Sequence, residues 1–235
     1  MQWITVSSYE ELSQIAADRI AALMKRKPNA VLGLATGSSP IGIYERLRAA
    51  FARGELDFSK ACSINLDEYL GLAPDHPQSY RFFMQKHLFD HINIPSASTF
   101  VPNGCAKDPE AECRAYDALI EERGIDLQIL GIGLDGHIGF NEPGDAFIKG
   151  THIIDLHEST IRANSRFFES EAEVPRRAIT MGIGGIMSAK ETLLVANGAS
   201  KKEILCAALT GPITPAVPAS ILQLHPNLTV IYSEE

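Results

Sequence analysis

A glycine-rich segment, residues 131–143, carries three ionisable side chains suited to acid–base chemistry. Asp135, His137 and Glu142 lie within eight residues of one another, directly after an apolar run of strand length. Two carboxylates placed around one imidazole fix its tautomer and stabilise its charged form. The same side chains are also ligands for divalent metals, and a structural loop with a hydrogen-bonded histidine is a third alternative. Because no second histidine or cysteine stands nearby at ligand spacing, we expect acid–base use and no metal.

A second candidate is the pair of acids in Asn65-Leu66-Asp67-Glu68-Tyr69, at the carboxyl end of an apolar strand. Removal of a carboxylate from water raises its pKa, toward values that suit a general base. The alternative is that both acids cap the next turn. The pattern alone does not show which of the two acids would act as the base and which as the cap.

A third candidate is the small-residue turn Thr36-Gly37-Ser38-Ser39, which follows a buried strand and precedes Pro40. We expect Ser39 to cap a helix whose first residue is Pro40. Several amides and hydroxyls then point at one place, where a phosphate binds well. The turn is neither a P-loop nor a dinucleotide-binding turn, because it lacks both glycine patterns. An ordinary capped turn is the alternative.

The charge balance decides which partners to expect. Lys and Arg number 21 and Asp and Glu number 29, a formal net charge of −8. Such a protein repels polyanions on average, so we expect no nucleic acid partner. Two cations could still hold a small anion. Arg166 lies between small polar and aromatic residues, and Lys201 lies at a predicted helix start, where the dipole disfavours a lysine unless an anion joins it.

Runs of strand and helix character alternate along the chain. Strands are predicted near 2–6, 30–35, 62–66, 127–132, 153–154, 178–181, 192–196 and 229–232. Helices are predicted after Ser8, over 40–53 and 79–89, after Asp108, and over 160–168 and 200–209. This alternation is typical of an α/β fold with a mostly parallel sheet covered by helices on both sides. We expect one domain over residues 1–235.

The sequence carries no sign of export or membrane insertion. No run reaches the roughly 18 apolar residues of a membrane span. The first residues have neither a basic region nor a long apolar region, so we expect a cytoplasmic protein. The four cysteines form no zinc-binding or redox pair, and we expect reduced thiols.

The three candidate sites lie in segments that resemble one known family, the glucosamine-6-phosphate deaminases. The matching segments are Leu-Ala-Thr-Gly-Ser-Ser-Pro, Asn-Leu-Asp-Glu-Tyr-Leu-Gly-Leu, Leu-Gly-Ile-Gly-Leu-Asp-Gly-His-Ile-Gly-Phe-Asn-Glu-Pro-Gly, Ala-Asn-Ser-Arg-Phe-Phe and Leu-Gln-Leu-His-Pro. They occur in the order of that family and cover nearly the whole chain. The long segment around His137 is specific, whereas the Thr-Gly-Ser-Ser turn alone is not.

The resemblance implies a modified Rossmann-like, three-layer αβα sandwich without a cofactor. It also implies the conversion of D-glucosamine 6-phosphate and water into D-fructose 6-phosphate and ammonium. By similarity, Asp67 moves a proton between C2 and C1 of the sugar. His137, oriented by Asp135 and Glu142, opens the pyranose ring.

Further expectations concern the phosphate, a lid and the assembly. By similarity, the phosphate lies on the turn 36–39 and is held by Arg166 and Lys201. We expect residues 152–178 to form a mobile lid, because enolamine chemistry is protected from water. The chain ends at Glu235, whereas allosterically regulated members of the family have a longer C-terminus, so we expect a monomer or a small homo-oligomer.

Three rivals remain. The 6-phosphogluconolactonases are similar in fold and also have a Gly-x-Asp-Gly-His segment, but they hydrolyse an ester. Phe140-Asn141-Glu142-Pro143 and Asp67-Glu68-Tyr69 favour the deaminase. Galactosamine 6-phosphate is a narrower alternative as substrate. A non-catalytic sugar-phosphate sensor would need a module for its partner, and no segment for one is visible.

Overall fold

The structure is a computed structural model that describes residues 1–165, 168, 170 and 173–235. Strands and helices alternate along the chain. The strands are β1 (Gln2–Val6), β2 (Val31–Leu34), β3 (Cys62–Asn65), β4 (Asp67–Tyr69), β5 (Thr99–Phe100), β6 (Leu127–Leu130), β7 (His152–Asp155), β8 (Arg177–Thr180), β9 (Glu191–Asn197) and β10 (Leu228–Ser233). The helices are α1 (Tyr9–Arg26), α2 (Ile41–Ala52), α3 (Tyr80–His87), α4 (Pro109–Arg123), α5 (Glu158–Ser165), α6 (Ile183–Met187) and α7 (Lys202–Thr210). No helix among the described residues is both long and apolar enough to cross a bilayer.

Seven strands form one sheet in the order β1-β10-β9-β6-β2-β3-β5, and neighbouring strands are parallel. Every residue of β2, β3, β6 and β10 is buried. A parallel strand is buried in this way when helices cover both faces of its sheet. The predicted α/β sandwich with a mostly parallel sheet is therefore confirmed.

The strand order reverses beside β2. The chain runs from β2 to β3 on one side, and it later returns to place β6 on the other side of β2. In open α/β sheets a ligand crevice opens at such a reversal, beyond the carboxyl ends of the strands. The three candidate segments follow β2, β3 and β6, so the fold gathers all three at this crevice.

A second, three-stranded sheet has the order β4-β8-β7 and is antiparallel. The strands predicted near 153–154 and 178–181 exist, but they belong to this small sheet and not to the parallel one. The reason is a change of direction after β3, where the Leu66 carbonyl accepts a hydrogen bond from the Met181 amide at 2.6 Å. A separate apolar cluster packs around this sheet: Tyr69, Phe140, Leu156, Ile161, Val174 and Ala178.

Helix starts agree with the side chains that the sequence offers. The Ser8 hydroxyl accepts the Glu11 amide at the start of α1, and Asp108 accepts the Ala111 amide at the start of α4. The Glu11 carboxylate in turn accepts from the amide and the hydroxyl of Ser7, one residue before the cap. These local hydrogen bonds fix the residue at which each helix begins, and hence which of its side chains face the sheet.

Candidate active site

The turn after β2, residues 36–39, has backbone amides that donate no hydrogen bond to the described residues. Gly37 has a φ of +87°, a left-handed conformation that glycine adopts without strain. The Tyr9 hydroxyl lies 3.0 Å from the carbonyl oxygens of Ser38 and Ser39, and it accepts the Gly42 amide at 2.8 Å. Among the described residues, the amides of positions 36–39 have no hydrogen-bond partner. The turn therefore offers free N–H donors to an anion.

The expectation that Ser39 caps α2 is wrong. Pro40 occupies the cap position in helical conformation and offers no side-chain hydrogen bond to the helix, whose first residue is Ile41. The Ser39 hydroxyl instead borders the loop after β6, since a Cβ atom added to Gly131 would lie 3.9 Å from it. The hydroxyls of Thr36, Ser38 and Ser39 have no hydrogen-bond partner among the described residues, so they remain available to a ligand.

The two acids after β3 have different environments. The Glu68 carboxylate accepts the amides of Tyr69, Tyr80 and Arg81, each at 2.9 Å, and so caps the start of α3. Asp67 is 6% exposed, and its carboxylate has no hydrogen-bond partner among the described residues. Glu68 thus serves as a cap for α3, and Asp67 does not.

Burial is the main reason that the pKa of Asp67 rises to about 8. The nearby Glu68 carboxylate raises it further, and His137 acts in the opposite direction. A carboxylate that is removed from water holds its proton more tightly. A general base is most effective when its pKa is near the working pH, and this pKa is close to that value.

Glycines allow the loop after β6 to close around the imidazole. A Cβ atom on Gly133 would lie 2.3 Å from the His137 ring. Gly139 has a φ of +58°, and a Cβ atom there would lie 3.3 Å from Oδ2 of Asp67. The amide of Phe140 donates to the Thr180 hydroxyl at 3.1 Å, next to the β4–β8 pairing. The loop therefore brings His137 to the same crevice as Asp67.

The His137 imidazole lies between two carboxylates. Its Nδ1 is 2.7 Å from Oδ1 of Asp135 and 3.5 Å from Oε2 of Glu142. Both are ion-pair contacts without the alignment of a good hydrogen bond. The Thr160 hydroxyl donates to Oε1 of Glu142 at 2.6 Å, and Nδ1 of His157 lies 3.8 Å from Oε2. Glu142 is thus held from two sides.

These contacts determine the charge of the site. Burial opposes a charged imidazole, but Asp135 and Glu142 outweigh it and raise the pKa of His137 to about 9. Burial likewise opposes a charged Asp135, but His137 outweighs it and lowers the pKa of that carboxyl to about 2. At neutral pH the site therefore holds an imidazolium between carboxylates.

The same three side chains are a possible metal-binding set. One ligand atom from each of Asp135, His137 and Glu142 fits within 4.8 Å of the others. However, both carboxylates face the Nδ1 atom itself, and the 2.7 Å contact with Asp135 is the length of a charge-assisted hydrogen bond. A metal on Nδ1 would have to displace this contact. The arrangement fits an imidazole prepared for proton transfer.

Lys201 lies at the start of α7, as predicted, and reaches the same loop. Its Nζ donates to the Ile132 carbonyl at 2.7 Å. Burial lowers the pKa of Lys201, and the charge of Asp135 opposes this shift. Ser39 of the turn after β2 borders the neighbouring Gly131, so Lys201 and this turn both lie against residues 131–132. Arg166, the other predicted anion ligand, lies outside the described residues.

Comparison with known proteins decides the family. A model of the family described as glucosamine-6-phosphate isomerases/6-phosphogluconolactonase matches residues 7–231. The chain belongs to this family. The predicted resemblance is therefore confirmed.

Relatives within the isomerase/lactonase family are similar over their full length. The chain is 62% identical to a glucosamine-6-phosphate deaminase of Lachnoclostridium phytofermentans, over 98% of both chains. It is 55% identical to one of Clostridium perfringens, over 100% of this chain and 98% of the relative. The solved structure of a monomeric glucosamine-6-phosphate deaminase superposes with a TM-score of 0.97 at 47% identity, covering 99% of this chain and 97% of the other.

The lactonase branch of the isomerase/lactonase family is more distant. A 6-phosphogluconolactonase from Thermotoga maritima superposes with a TM-score of 0.78 over 100% of this chain and 99% of the other, but at 20% identity. That similarity shows the shared fold only.

Several contacts of this family site are not visible in the sequence. Tyr9 reaches the turn after β2 from the first turn of α1, and Thr160 reaches Glu142 from α5. Neither residue belongs to a motif, and each is far along the chain from its partner. Only the arrangement of α1 and α5 against the sheet brings them to the site.

Proposed function

We propose that the chain is a glucosamine-6-phosphate deaminase, which converts D-glucosamine 6-phosphate and water into D-fructose 6-phosphate and ammonium. The observation that carries this proposal is the position of the buried Asp67, whose carboxylate accepts no hydrogen bond from the described part of the chain, beside the His137 imidazolium at one crevice. The reaction needs two proton-transfer devices, one to open the ring and one to move hydrogen between carbons. Full-length relatives named as this deaminase support the assignment.

In the proposed first stage, His137 opens the ring. A pyranose opens when its ring oxygen gains a proton and its anomeric hydroxyl loses one. The imidazolium donates to the ring oxygen, and the neutral imidazole then accepts the anomeric proton. Asp135 and Glu142 hold the ring in place and stabilise its charged form.

In the proposed second stage, Asp67 acts on the open chain. Its carboxylate removes the C2 proton while the C1 carbonyl oxygen gains a proton that the substrate's own ammonium group gives up, which forms an enolamine. The carboxyl group then returns its proton to C1 and leaves a protonated C2 imine. The resulting C2 imine takes up water and releases ammonia, which leaves the ketose. A positioned base of this kind contributes about 10²–10⁴-fold to the rate.

The phosphate of the substrate is proposed to lie on the turn 36–39, near Lys201 and Arg166. The free amides and hydroxyls of this turn and the cation at Lys201 supply donors where the protein as a whole carries a net charge of −8. Phosphate-binding sites of this kind combine backbone amides with a charge-assisted hydrogen bond.

Lys201→Met tests the phosphate site. We expect KM for glucosamine 6-phosphate and the inhibition constant of inorganic phosphate to rise about tenfold, because one charge-assisted contact is lost. Arg166→Ala should act in the same direction. Lys202→Met is the matched control, since this neighbouring lysine is exposed and pairs with Glu234. Unchanged constants in the Lys201 variant would remove this residue from the phosphate site.

Residues 152–178 are proposed to move as a lid. Their ends lie in β7 and β8, which pair with each other. Of the two, β8 also pairs with the strand of Asp67, and α5 contacts Glu142 between them. We expect amide hydrogen exchange in this segment to slow when 2-amino-2-deoxyglucitol 6-phosphate, an open-chain analogue, is bound. Exchange in β10 should stay unchanged and serves as the internal control. Equal exchange with and without the analogue would contradict a lid.

The lactonase is the second candidate, because the matching family includes it. Lactone hydrolysis needs an activated water but no proton transfer between C2 and C1. One assay separates the candidates: the protein is incubated with glucosamine 6-phosphate, galactosamine 6-phosphate or 6-phosphogluconolactone, and ammonium, ketose phosphate and acid are measured. We expect ammonium and fructose 6-phosphate from the first substrate. Acid from the lactone without ammonium would reverse the assignment.

The proposed partner is therefore a small sugar phosphate, with no nucleic acid and no membrane. A cytoplasmic location suits a substrate of this class. We further propose a monomer or small homo-oligomer, for which the monomeric deaminase of similar structure is the support. Sedimentation at micromolar concentration tests this point.

A further inference from the structure

The Glu142 carboxylate takes its orientation from α5 and not from its own loop. Among the described residues, its one hydrogen bond comes from the Thr160 hydroxyl, at 2.6 Å to Oε1. The Glu142 side chain is 1% exposed, and Thr160 is 6% exposed, so water does not readily replace this bond. A hydroxyl on the lid segment thus holds a carboxylate of the candidate active site.

The hydrogen bond from Thr160 determines where the second carboxylate oxygen of Glu142 lies. With Oε1 held by Thr160, Oε2 faces Nδ1 of His137 at 3.5 Å. Oε2 itself accepts no hydrogen bond among the described residues. If the Thr160 bond were lost, rotation of the carboxylate would take this charge away from the imidazole. The position of α5 and the charge beside His137 are therefore coupled.

We propose that Thr160 is a positioning residue for ring opening, which fixes Glu142 so that the carboxylate supports His137 only when α5 is in place. This inference rests on the proposed deaminase function. Thr160 does not touch the reacting atoms. It makes the support of His137 by Glu142 depend on the position of α5.

Thr160→Val removes the hydroxyl and keeps the shape of the side chain. We expect kcat to fall about tenfold, the size of one hydrogen bond to a charged group, with KM within twofold. We also expect the alkaline limb of the kcat/KM profile to move to lower pH, since the charge of Glu142 no longer supports the imidazolium. The groups that face His137 or its partners are Asp135, Glu142, Asp67, His157 and Lys201, and none of them is altered.

Thr160→Ser is the matched control, because it keeps the hydroxyl and should restore both kcat and the pH limb. Identical kcat and pH profiles for the Val and Ser variants would overturn the inference. A purely structural role would also be indicated if thermal stability fell while the alkaline limb stayed in place. The wild-type protein is assayed first: absence of ammonium release there contradicts the proposed function, whereas normal release with an unaffected Thr160→Val variant contradicts the positioning role alone.

Discussion

Asp67→Asn should lower kcat for ammonium release by about 10²–10⁴-fold, the usual contribution of a positioned base. Asparagine keeps the size of the side chain but cannot accept the C2 proton. Because Asp67 has no hydrogen-bond partner among the described residues, the change breaks no contact that holds the fold. The affinity for 2-amino-2-deoxyglucitol 6-phosphate, measured by calorimetry, should stay within a few fold.

The pH dependence of the wild-type protein gives a second measurement of the same group. The base must be unprotonated, and burial raises the pKa of Asp67 to about 8. We therefore expect kcat/KM to rise with pH through about 8 in the free enzyme. The ammonium group of a bound amino sugar favours the carboxylate, so the corresponding limb of kcat should lie at lower pH.

As the pH rises and the carboxylate of Asp67 becomes active as a base, the stability of the wild-type fold should fall. The pKa of Asp67 is about 8 in the folded protein and 3.8 for an ordinary aspartate. Between these two pH values the folded state binds a proton that the unfolded chain has lost. This group's favourable contribution to stability is therefore full below about pH 4 and is lost as pH rises to about 8. The melting temperature of Asp67→Asn minus that of the wild type should therefore be larger at pH 9 than at pH 5. An active Asp67→Asn variant, or one with unaltered pH dependence of stability, would contradict a buried base.

The parallel sheet could be predicted because its strands carry their signal locally. The runs that became β2, β3 and β6 are short, buried at every position and mostly apolar, with Ser63, Asn65 and Gln128 as their polar members. The small sheet could not be predicted in the same way. Its first strand, Asp67–Tyr69, has three residues and contains two acids, and it is a strand only because β8 pairs with it. Such a pairing depends on distant residues, which no local pattern specifies.

In the candidate site, too, the features within one segment could be predicted, whereas the contacts between distant segments could not. Asp135, His137 and Glu142 belong to one loop, so their types and spacing predict the charged imidazole. The family resemblance selects Asp67, but the residue pattern alone does not distinguish it from Glu68, because the difference depends on which carboxylate reaches the start of α3. Contacts from other elements, such as the hydroxyl of Thr160 on Glu142, appear only once the helices pack.

His137→Gln should lower kcat by about 10²–10⁴-fold, because no other side chain then donates a proton to the ring oxygen. Glutamine keeps a polar side chain in the loop but cannot titrate. The open-chain analogue needs no ring opening, so its affinity should stay within a few fold. The measurement is steady-state ammonium release over a range of pH, together with calorimetric binding of the analogue.

The pH profile separates this role from that of Asp67. The pKa of His137 is raised to about 9, and the imidazolium is the proposed acid, so wild-type kcat/KM should fall above about pH 9. That limb should be absent in His137→Gln, whereas the rising limb of Asp67 should remain and move to higher pH, because the His137 charge that lowers the pKa of Asp67 is lost. Asp135→Asn removes the nearer carboxylate, at 2.7 Å, so it should keep the limb but move it to lower pH.

The Asp135 variant also discriminates between proton transfer and metal binding at these side chains. An imidazolium that loses one carboxylate becomes a stronger acid and still titrates, so activity should persist on the acid side of the shifted limb. A metal centre that loses one of three ligands should instead lose activity at every pH and regain it with excess divalent ion. A shifted limb without recovery by added metal supports ring opening by His137, and recovery by metal would refute it.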